Sequence, residues 1–520
     1  MTTSFITTAI PYVNARPHLG FAYELVLADI LARHRRRRGR DTRSATGTDD
    51  NSLKNVAAAQ REGLTTRALV DRNAAAFRAL GPLLTIEPDD FVQTSSDPRH
   101  RTAVEHLWRA CDARGDLYRR AWEGRYCAGC EAFIDERNDG GALCAEHATA
   151  PELVREDNWF FRLSRWSGAV RDAIATGRLA IVPEAARAET LAFLDGPVRD
   201  LSVSRIAARS GGWGIPVPDD PGQVIYVWFD ALASYLSSLG LGSGDPLLTR
   251  YWLDGGERVH VIGKGITRFH AVYWPAFLLS AGLPLPDRIA VHGYLTVDGE
   301  KISKSGRNVE VGPVVEACGV DAVRWFFARR CRTRSDADVS IAAILDAHDR
   351  DLADRLGNLV QRCITLAGKV CDGRVPPPDD GAHASELRAL AAALPARVDA
   401  ALDAFLPDEA AAAIVELLDA ANRALERSAP WQLARTDPAA AARALHAPLE
   451  AARIATGELS PLVPGVAAAI AVRLGGADLA PRWGVLQPGA ALLAGPPPLP
   501  RRNSGCGAVA IPSPRRGQQP

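Results

Sequence analysis

The chain has 520 residues, enough for two to four domains, and its 61 basic residues balance 61 acidic ones. The formal net charge of zero excludes bulk attraction to nucleic acid, so any RNA binding must come from local surface patches. The sequence contains no stretch of about 18 uninterrupted apolar residues, so it predicts no membrane span. The first residues lack the features of a signal peptide. We therefore expect a cytoplasmic globular protein without a membrane partner.

The first predicted elements alternate between strand and helix. An apolar run at 5–10 predicts a strand, and periodic apolar residues predict a helix over 23–38. The segment TRSATGTDD at 42–50 predicts a second strand that ends in acidic residues. This alternation predicts an α/β fold with a Rossmann-type, doubly wound parallel sheet, whose functional residues lie at the carboxyl ends of the strands.

Residues 118–183 interrupt the alternation with an insertion that holds two pairs of potential metal ligands. The pairs, Cys127-x-x-Cys130 and Cys144-x-x-His147, have knuckle spacing. Three thiolates and one imidazole complete a tetrahedron without an open position, which is typical of one structural Zn²⁺. An odd total of nine cysteines favours a reducing compartment over a disulfide framework. The alternatives are four unligated residues or a redox-active Cys-x-x-Cys.

The alternation of strands and helices returns after the insertion and then gives way to helices. Apolar runs at 224–229, 260–262 and 288–292 predict further strands. From 346 to 475 the chain is rich in alanine and leucine with helical periodicity, which predicts a helical bundle. From 476 onwards proline, glycine and arginine dominate, and this composition predicts a mostly disordered tail.

Two stretches about 280 residues apart carry candidate phosphate chemistry. AIPYVNARPHLGF at 9–21 presents His18 and Gly20 before a predicted helix, an arrangement suited to binding phosphate. KISKSGRN at 301–308 has two lysines in a glycine-flanked loop, where they can neutralise charge that develops on a phosphate. Taken singly, each stretch is more often an ordinary solvated loop.

Together and in this order, the two stretches resemble the signature sequences of class I aminoacyl-tRNA synthetases. HLGF stands at the position of the His-x-Gly-His sequence, and KISKS at that of Lys-Met-Ser-Lys-Ser. From about residue 5 to about residue 475, the flanking residues are most similar to the methionyl-tRNA synthetase family. The segments that carry this similarity are TGTDD at 46–50, IYVWFDALASY at 225–235, VHGYLTVDGEKISKS at 291–305 and APW at 429–431.

The resemblance implies a methionine–tRNA ligase. Such an enzyme forms methionyl-adenylate and pyrophosphate from methionine and ATP, and then transfers methionine to tRNA(Met) for translation. Mg²⁺ is expected to bridge the ATP phosphates, and a monomer is the default oligomeric state. Two alternatives stay open: a paralogous ligase that activates an amino acid for a non-tRNA acceptor, and a catalytically weak tRNA-binding relative.

The resemblance also implies a division of the chain into segments. We expect two halves of a catalytic domain at 1–117 and 184–310, a zinc-binding insertion at 118–183, a stem-contact linker at 311–345, an anticodon-binding helical domain at 346–475 and a tail at 476–520.

Individual site residues follow from the same resemblance, with Asp49 on the amino group of methionine. The implied methionine site comprises Ala9, Ile10, Tyr12, Asp49, Trp228, Ala231, Tyr235, Ile266 and His270. The implied ATP site comprises His18, Gly20, Phe21, Gly263, Lys264, Lys301, Ser303, Lys304 and Ser305, with His18, Lys301 and Lys304 catalytic. Without the resemblance, aromatic residues in these apolar runs, Phe229, Phe269 and Trp274 included, are more often packed in a core.

A third candidate site lies in the predicted helical bundle. Asn358 and Arg362 are four residues apart and share one helix face, and Trp431 follows Pro430 at a predicted helix start. An exposed tryptophan beside arginine and asparagine suits stacking on an unpaired RNA base. Core packing is the alternative for the tryptophan. The resemblance implies that all three residues contact the anticodon.

Some positions depart from the family pattern. Phe21 replaces the second histidine of the first signature, and Gly265 replaces an aspartate near the adenosine. Asn51 and Leu232 replace a histidine and a proline, respectively, and residues 306–308 also differ. Because losing one phosphate donor costs on the order of 3 kcal/mol in a transition state, these changes bear on the rate of the implied reaction.

Overall fold

The computed structural model describes residues 2–127, 132–133, 150–302, 308–378 and 381–502. The chain forms two compact units. The first, here the sheet unit, comprises Met1–Pro17, Arg38–Pro82 and Ile86–His292; the second, here the helical unit, comprises His18–Arg37, Leu83–Thr85 and Gly293–Pro520. Within the described ranges, none of the helices combines the length and the hydropathy needed to cross a membrane.

In the described part of the chain, the strands fall into four sheets. They are β1 (Thr3–Thr8), β2 (Asp41–Thr48), β3 (Asp90–Gln93), β4 (Leu117–Cys127), β5 (Ala132–Phe133), β6 (Glu152–Phe161), β7 (Ala180–Val182), β8 (Leu201–Ser202), β9 (Ser204–Ile206), β10 (Pro216–Val217), β11 (Asp220–Ile225), β12 (Glu257–Gly263), β13 (Arg288–His292), β14 (Leu295–Val297), β15 (Glu300–Lys301) and β16 (Ala337–Asp338).

The α-helices are longest in the C-terminal half of the chain. They are α1 (Leu19–Arg37), α2 (Leu53–Glu62), α3 (Thr66–Arg78), α4 (Leu80–Leu84), α5 (Pro98–Ala113), α6 (Leu163–Ala175), α7 (Glu184–Asp195), α8 (Val227–Ser237), α9 (Pro246–Leu248), α10 (Trp274–Ala281), α11 (Val311–Cys318), α12 (Val320–Arg329), α13 (Ile341–Ala347), α14 (Asn358–Val370), α15 (Ala382–Asp403), α16 (Pro407–Ser428), α17 (Pro430–Leu433), α18 (Pro438–Leu459) and α19 (Pro464–Arg473). Short π-helical segments occur at Thr249–Leu253, Phe269–Tyr273 and His348–Gly357, and 3-10 turns at Ala207–Ser210 and Lys264–Ile266.

The sheet unit is built on six parallel strands in the order β3-β2-β1-β12-β13-β7. Five of the six residues of β1 are buried, as expected for a parallel strand covered on both faces. The direction in which successive strands are added to the sheet reverses between β1 and β12. The loops that follow two neighbouring strands at such a reversal run in opposite directions and leave a crevice at the carboxyl ends of the strands. The predicted parallel α/β fold is confirmed, and ligands of such sheets bind in this crevice.

Two smaller antiparallel sheets also belong to the sheet unit. One has the order β5-β4-β6-β8, with β4 and β6 paired along most of their length, and the other has the order β10-β11-β9. β4 and β6 lie in the segment that the sequence analysis predicted to interrupt the α/β alternation. Most of the insertion therefore folds around a separate antiparallel sheet, whereas its last strand, β7, pairs with β13 and forms one edge of the parallel sheet.

The helical unit joins α1 to the C-terminal helices through a buried ion pair. Arg324 on α12 is fully buried and contacts Asp29 on α1 at 2.6 Å. Its remaining guanidinium N–H groups donate to the carbonyls of Leu84, Pro461 and Leu462. A buried charge is stable only when it is paired and hydrogen-bonded in this way. Further along, α14, α15, α16 and α18 pack on one another as the predicted helical bundle.

The predicted disordered tail is wrong for residues 476–502, which are ordered against the helical unit. Arg453 pairs with Glu450 inside α18 and donates to the carbonyls of Asp478, Ala480 and Arg482. The Glu450 carboxylate accepts from two further tail amides. Three leucines of the tail are buried: Leu486, Leu492 and Leu499. The buried Arg453–Glu450 ion pair thus forms hydrogen bonds with the backbone amides and carbonyls of a segment whose composition alone predicts disorder.

Candidate active site

Asp49 and Tyr12 lie side by side at the carboxyl ends of β2 and β1. The Asp49 amide donates to the carbonyl of Pro11 at 2.9 Å, and Tyr12 and Asp49 form an isolated parallel bridge. The Asp49 side chain is buried. Two residues that the resemblance assigned to the methionine site are therefore adjacent.

Trp228 at the start of α8 forms an aromatic wall with two other residues. Its ring stacks on that of Phe269 with 3.7 Å between centroids and 11° between planes, and it meets Tyr12 edge-on at 6.2 Å. Trp228 is half-buried, and its Nε1 has no hydrogen-bond partner in the part of the chain that the structure describes. Polarisable rings of this kind suit a thioether.

His270 and Tyr235 form the polar side of this wall. The His270 Nδ1–H donates to the carbonyl of Ile266 at 3.0 Å, so the Tyr235 hydroxyl donates to Nε2 at 2.6 Å. Burial lowers the pKa of His270 to about 4, so the ring is neutral at neutral pH. A neutral ring with one fixed tautomer creates no buried charge beside an apolar ligand.

Other aromatic residues from the same runs are packed in the core. Phe229 and Trp274 are both fully buried. Phe229 directly follows Trp228, and consecutive helical residues face different directions. Of the other predicted methionine-site residues, Ala9 and Ala231 are buried, and Ile10 and Ile266 are half-buried.

A buried polar network behind the wall has no counterpart in the sequence analysis. His100 Nε2 bonds Asp230 Oδ1, and Asn51 Nδ2 donates to Asp230 Oδ2 at 2.7 Å. The Ser237 hydroxyl gives its proton to the carbonyl of Ala233, so it accepts from His100 Nδ1–H at 2.9 Å. His100 and Asp230 therefore share one further proton between Nε2 and Oδ1. Asn51, which replaces a family histidine, ties the Asp49 loop to α8 through this pair.

Replacing Asp230 with alanine is expected to destabilise the sheet unit by about 3–5 kcal/mol, because it leaves the buried His100 without its charged partner. The Asn51→Ala change removes only one donor from a half-buried position and is expected to cost about 1 kcal/mol. Thermal unfolding followed by tryptophan fluorescence measures both changes. Equal stability of the two variants would contradict the proton-sharing pair.

In the helical unit, His18 is held at the start of α1. The Gly20 amide donates to His18 Nδ1 at 3.1 Å, which leaves the proton of the neutral ring on Nε2. A Cβ on Gly20 would lie only 3.0 Å from the His18 ring, so glycine permits this close turn. The Leu19 amide donates to the carbonyl of Val309, and His18 bridges Glu310. The first signature is thus bonded to residues that directly follow the second.

Lys301 lies at the start of the second signature, on the hairpin β14–β15. The turn residues Asp298 and Gly299 have positive φ angles of 53° and 77°, and the Asp338 carboxylate accepts from the Gly299 amide at 3.1 Å. The Lys301 Nζ lies 3.4 Å from the centroid of the Tyr294 ring. Ser303, Lys304 and Ser305 lie outside the described residues. Gly263 ends β12 in the sheet unit, and Lys264 and Gly265 after it are exposed.

Of the four predicted zinc ligands, the structure describes Cys127. Its side chain is buried at the end of β4, where it pairs with Ala132 of β5. Cys130, Cys144 and His147 lie outside the described residues. No group of three metal-ligating side chains occurs in the parts of the chain that are described. A buried thiol on a hairpin is compatible with a zinc knuckle, and the site stays a prediction.

The predicted anticodon residues form a surface on the helical unit. Arg362 on α14 lies over the Trp431 ring, with its Cζ 4.9 Å from the centroid, and it pairs with Glu426 at 2.6 Å. Trp431 is 40% exposed, which excludes the core-packing alternative. Asn358, four residues before Arg362, is also exposed. The Ala429 backbone, with φ of 39°, turns the chain from α16 into the short helix that carries Trp431.

Comparisons with known proteins cover nearly the whole chain. The family model described as tRNA synthetases class I (M) matches residues 4–145 and 140–364, and the anticodon binding domain of methionyl tRNA ligase matches residues 377–494. The methionine–tRNA ligase of Mycobacterium bovis is 40% identical over 510 residues, which is 95% of this chain and 96% of the relative. The chain belongs to the methionyl-tRNA synthetases.

Other relatives of this family agree. The methionine–tRNA ligase of Brucella suis is 38% identical over 469 residues, covering 88% of this chain and 89% of the relative. A solved structure of the Mycobacterium tuberculosis methionyl-tRNA synthetase in complex with methionyl-adenylate has a TM-score of 0.91 at 39% identity and covers 96% of this chain and 100% of that one. The predicted family and enzyme class are confirmed, because the methionyl-tRNA synthetases are class I aminoacyl-tRNA synthetases.

Proposed function

We propose that the chain activates methionine with ATP and transfers it to tRNA(Met). The observation that carries the proposal is the Tyr12–Trp228–Phe269 wall beside the buried Asp49, in a member of the methionyl-tRNA synthetases. A carboxylate at one end and polarisable rings at the other match the ammonium and the thioether of methionine. The neutral His270 and Tyr235 complete the site without adding a charge beside the thioether.

In the proposed first step, a methionine carboxylate oxygen attacks the α-phosphorus of ATP and pyrophosphate leaves. Asp49 accepts hydrogen bonds from the methionine ammonium. His18 donates from Nε2 to a phosphate oxygen, and the Gly20 segment lies at the positive end of α1. Lys301 and Lys304 neutralise the charge that develops on the phosphates. Mg²⁺ bound together with ATP would supply further charge neutralisation. No covalent enzyme intermediate is required, since positioning and charge carry the reaction.

In the proposed second step, a hydroxyl of the terminal ribose of tRNA(Met) attacks the methionyl carbonyl of the adenylate, and AMP leaves. Trp431 stacks on an anticodon base, and Arg362 and Asn358 supply hydrogen bonds to it. The pairing of Arg362 with Glu426 and with the Trp431 ring holds both side chains in place before RNA arrives. The presence of this surface favours tRNA over a small-molecule acceptor.

The decisive experiment is ATP–pyrophosphate exchange with each of the twenty amino acids, followed by charging of total tRNA. We expect exchange with methionine and charging of tRNA(Met). Exchange without charging would favour the ligase with a non-tRNA acceptor, and tRNA binding without exchange would favour the catalytically weak relative. Gel filtration tests the predicted monomer in the same preparation.

Zinc is the second part of the proposal, with Cys127, Cys130, Cys144 and His147 as ligands. Elemental analysis of the purified chain is expected to give one zinc per chain. The Cys127→Ser variant is expected to lose it, because a structural site needs all four ligands. A variant at Cys371, which lies in the helical unit, serves as the control. Well under one metal per wild-type chain would refute the site.

A further inference from the structure

Lysine is rare in this chain, and its positions are informative. Of 61 lysine and arginine residues, five are lysines: Lys54, Lys264, Lys301, Lys304 and Lys369. Three of these five stand at positions that the sequence analysis assigned to the ATP site. Nearly all other basic residues of the chain are arginines, so the compact ammonium group of lysine is concentrated at the predicted ATP site. Arginine and lysine are not interchangeable where a single point charge must fit. Lys54 has no role in the proposed function.

Lys54 lies in the methionine site of the sheet unit. Its Nζ is 4.9 Å from the centroid of the Tyr12 ring, and Tyr12 pairs with Asp49 and contacts Trp228. The side chain is half-buried. The cation therefore lies over the ring of the residue whose backbone pairs with that of Asp49, the proposed ligand of the ammonium group.

The backbone that carries Lys54 is fixed to the Asp49 loop. The Ser52 hydroxyl caps α2 by accepting from the Lys54 amide at 3.0 Å. The Asn55 side chain donates to the carbonyls of Asp49 and Asp50 at 3.0 and 2.8 Å. Ser52 and Asn55 are fully buried. The position of Lys54 relative to Asp49 is thus set by hydrogen bonds before a ligand binds.

We propose that Lys54 Nζ binds the carboxylate of the amino acid in the site. This inference rests on the proposed function, in which Asp49 binds the ammonium group. Both charged groups of an amino acid are attached to one carbon, so a residue that binds the carboxylate must lie close to Asp49. Lys54 meets this condition through Tyr12. An arginine would instead place its planar guanidinium flat on the Tyr12 ring.

The test compares L-methionine with L-methioninol, which keeps the ammonium group and the thioether but lacks the carboxylate. Binding of each ligand is measured by calorimetry for the wild type and for the Lys54→Gln and Lys54→Arg variants. We expect both variants to bind methionine about 10- to 100-fold more weakly, the range for loss of a charge-assisted hydrogen bond, and to bind methioninol within about twofold of the wild type.

The Lys369→Arg variant is the matched control, because Lys369 is an exposed lysine on α14 of the helical unit. It is expected to bind both ligands as the wild type does. Equal weakening of methionine and methioninol binding by Lys54→Gln would overturn the proposal, since Lys54 would then only hold Tyr12 in place. Unchanged methionine binding would overturn it as well. A wild-type chain that binds neither ligand would instead overturn the proposed function on which the inference rests.

Discussion

Replacing His18 with alanine is expected to slow ATP–pyrophosphate exchange by about 100- to 1,000-fold, the usual cost of removing one preorganised donor to a transition state. The Gly20 amide occupies Nδ1, so Nε2 carries the proton that the alanine variant loses. The effect is expected to be large because Phe21 replaces the second histidine of this signature and offers no substitute donor. Exchange at saturating methionine and ATP measures it.

The control for His18→Ala is tRNA binding, which is expected to stay unchanged because the anticodon surface is formed by other elements. The Phe21→His variant provides a second comparison, since it restores the family residue, and it is expected to raise the exchange rate. Exchange by His18→Ala within about threefold of the wild type would refute the catalytic role of His18.

Replacing Trp431 with alanine is expected to lower kcat/KM for charging tRNA(Met) by about 10- to 100-fold and to leave methionine-dependent exchange unchanged. Stacking of one base on an aromatic side chain contributes about 1–3 kcal/mol, and tenfold corresponds to about 1.4 kcal/mol. The substitution also removes the ring that Arg362 covers, so the guanidinium keeps its ion pair with Glu426 but loses this contact. Steady-state charging with purified tRNA measures the effect.

Val472→Ala is the matched control for Trp431→Ala, because Val472 is another large apolar residue of the helical unit and is 57% exposed. Its removal is expected to leave charging unchanged. If both variants charge tRNA equally poorly, the loss reflects a general effect on the helical unit. If Trp431→Ala charges as well as the wild type, the anticodon assignment is wrong.

Several parts of the site could be predicted because they lie where local pattern and fold rules coincide. Asp49 follows the second predicted strand, and parallel strands present their functional loops at the carboxyl ends. His18 precedes a periodic helix, and Arg362 follows Asn358 by one helical turn. In each case a local sequence signal places the side chain on a known end or face of an element.

Long-range contacts could not be predicted in the same way. His100 and Asp230 are 130 residues apart, and no periodicity relates them. Residues 476–502 are ordered because Arg453 donates hydrogen bonds to carbonyls of this segment and Glu450 accepts hydrogen bonds from its amides. The composition of this segment shows no apolar pattern. It contains no information about a distant ion pair that forms hydrogen bonds with the backbone of the segment.

The sequence by itself determined the parallel α/β core, the helical bundle and the family, because hydrophobic periodicity and short motifs are local properties of the chain. The tertiary structure alone decided which aromatic residues face the candidate site: the Trp228 ring stacks on Phe269 there, while its neighbour Phe229 is buried in the core. Adjacent residues on a helix differ in direction by about 100°, so their roles depend on how the helix is rotated against the sheet, and only packing sets that rotation.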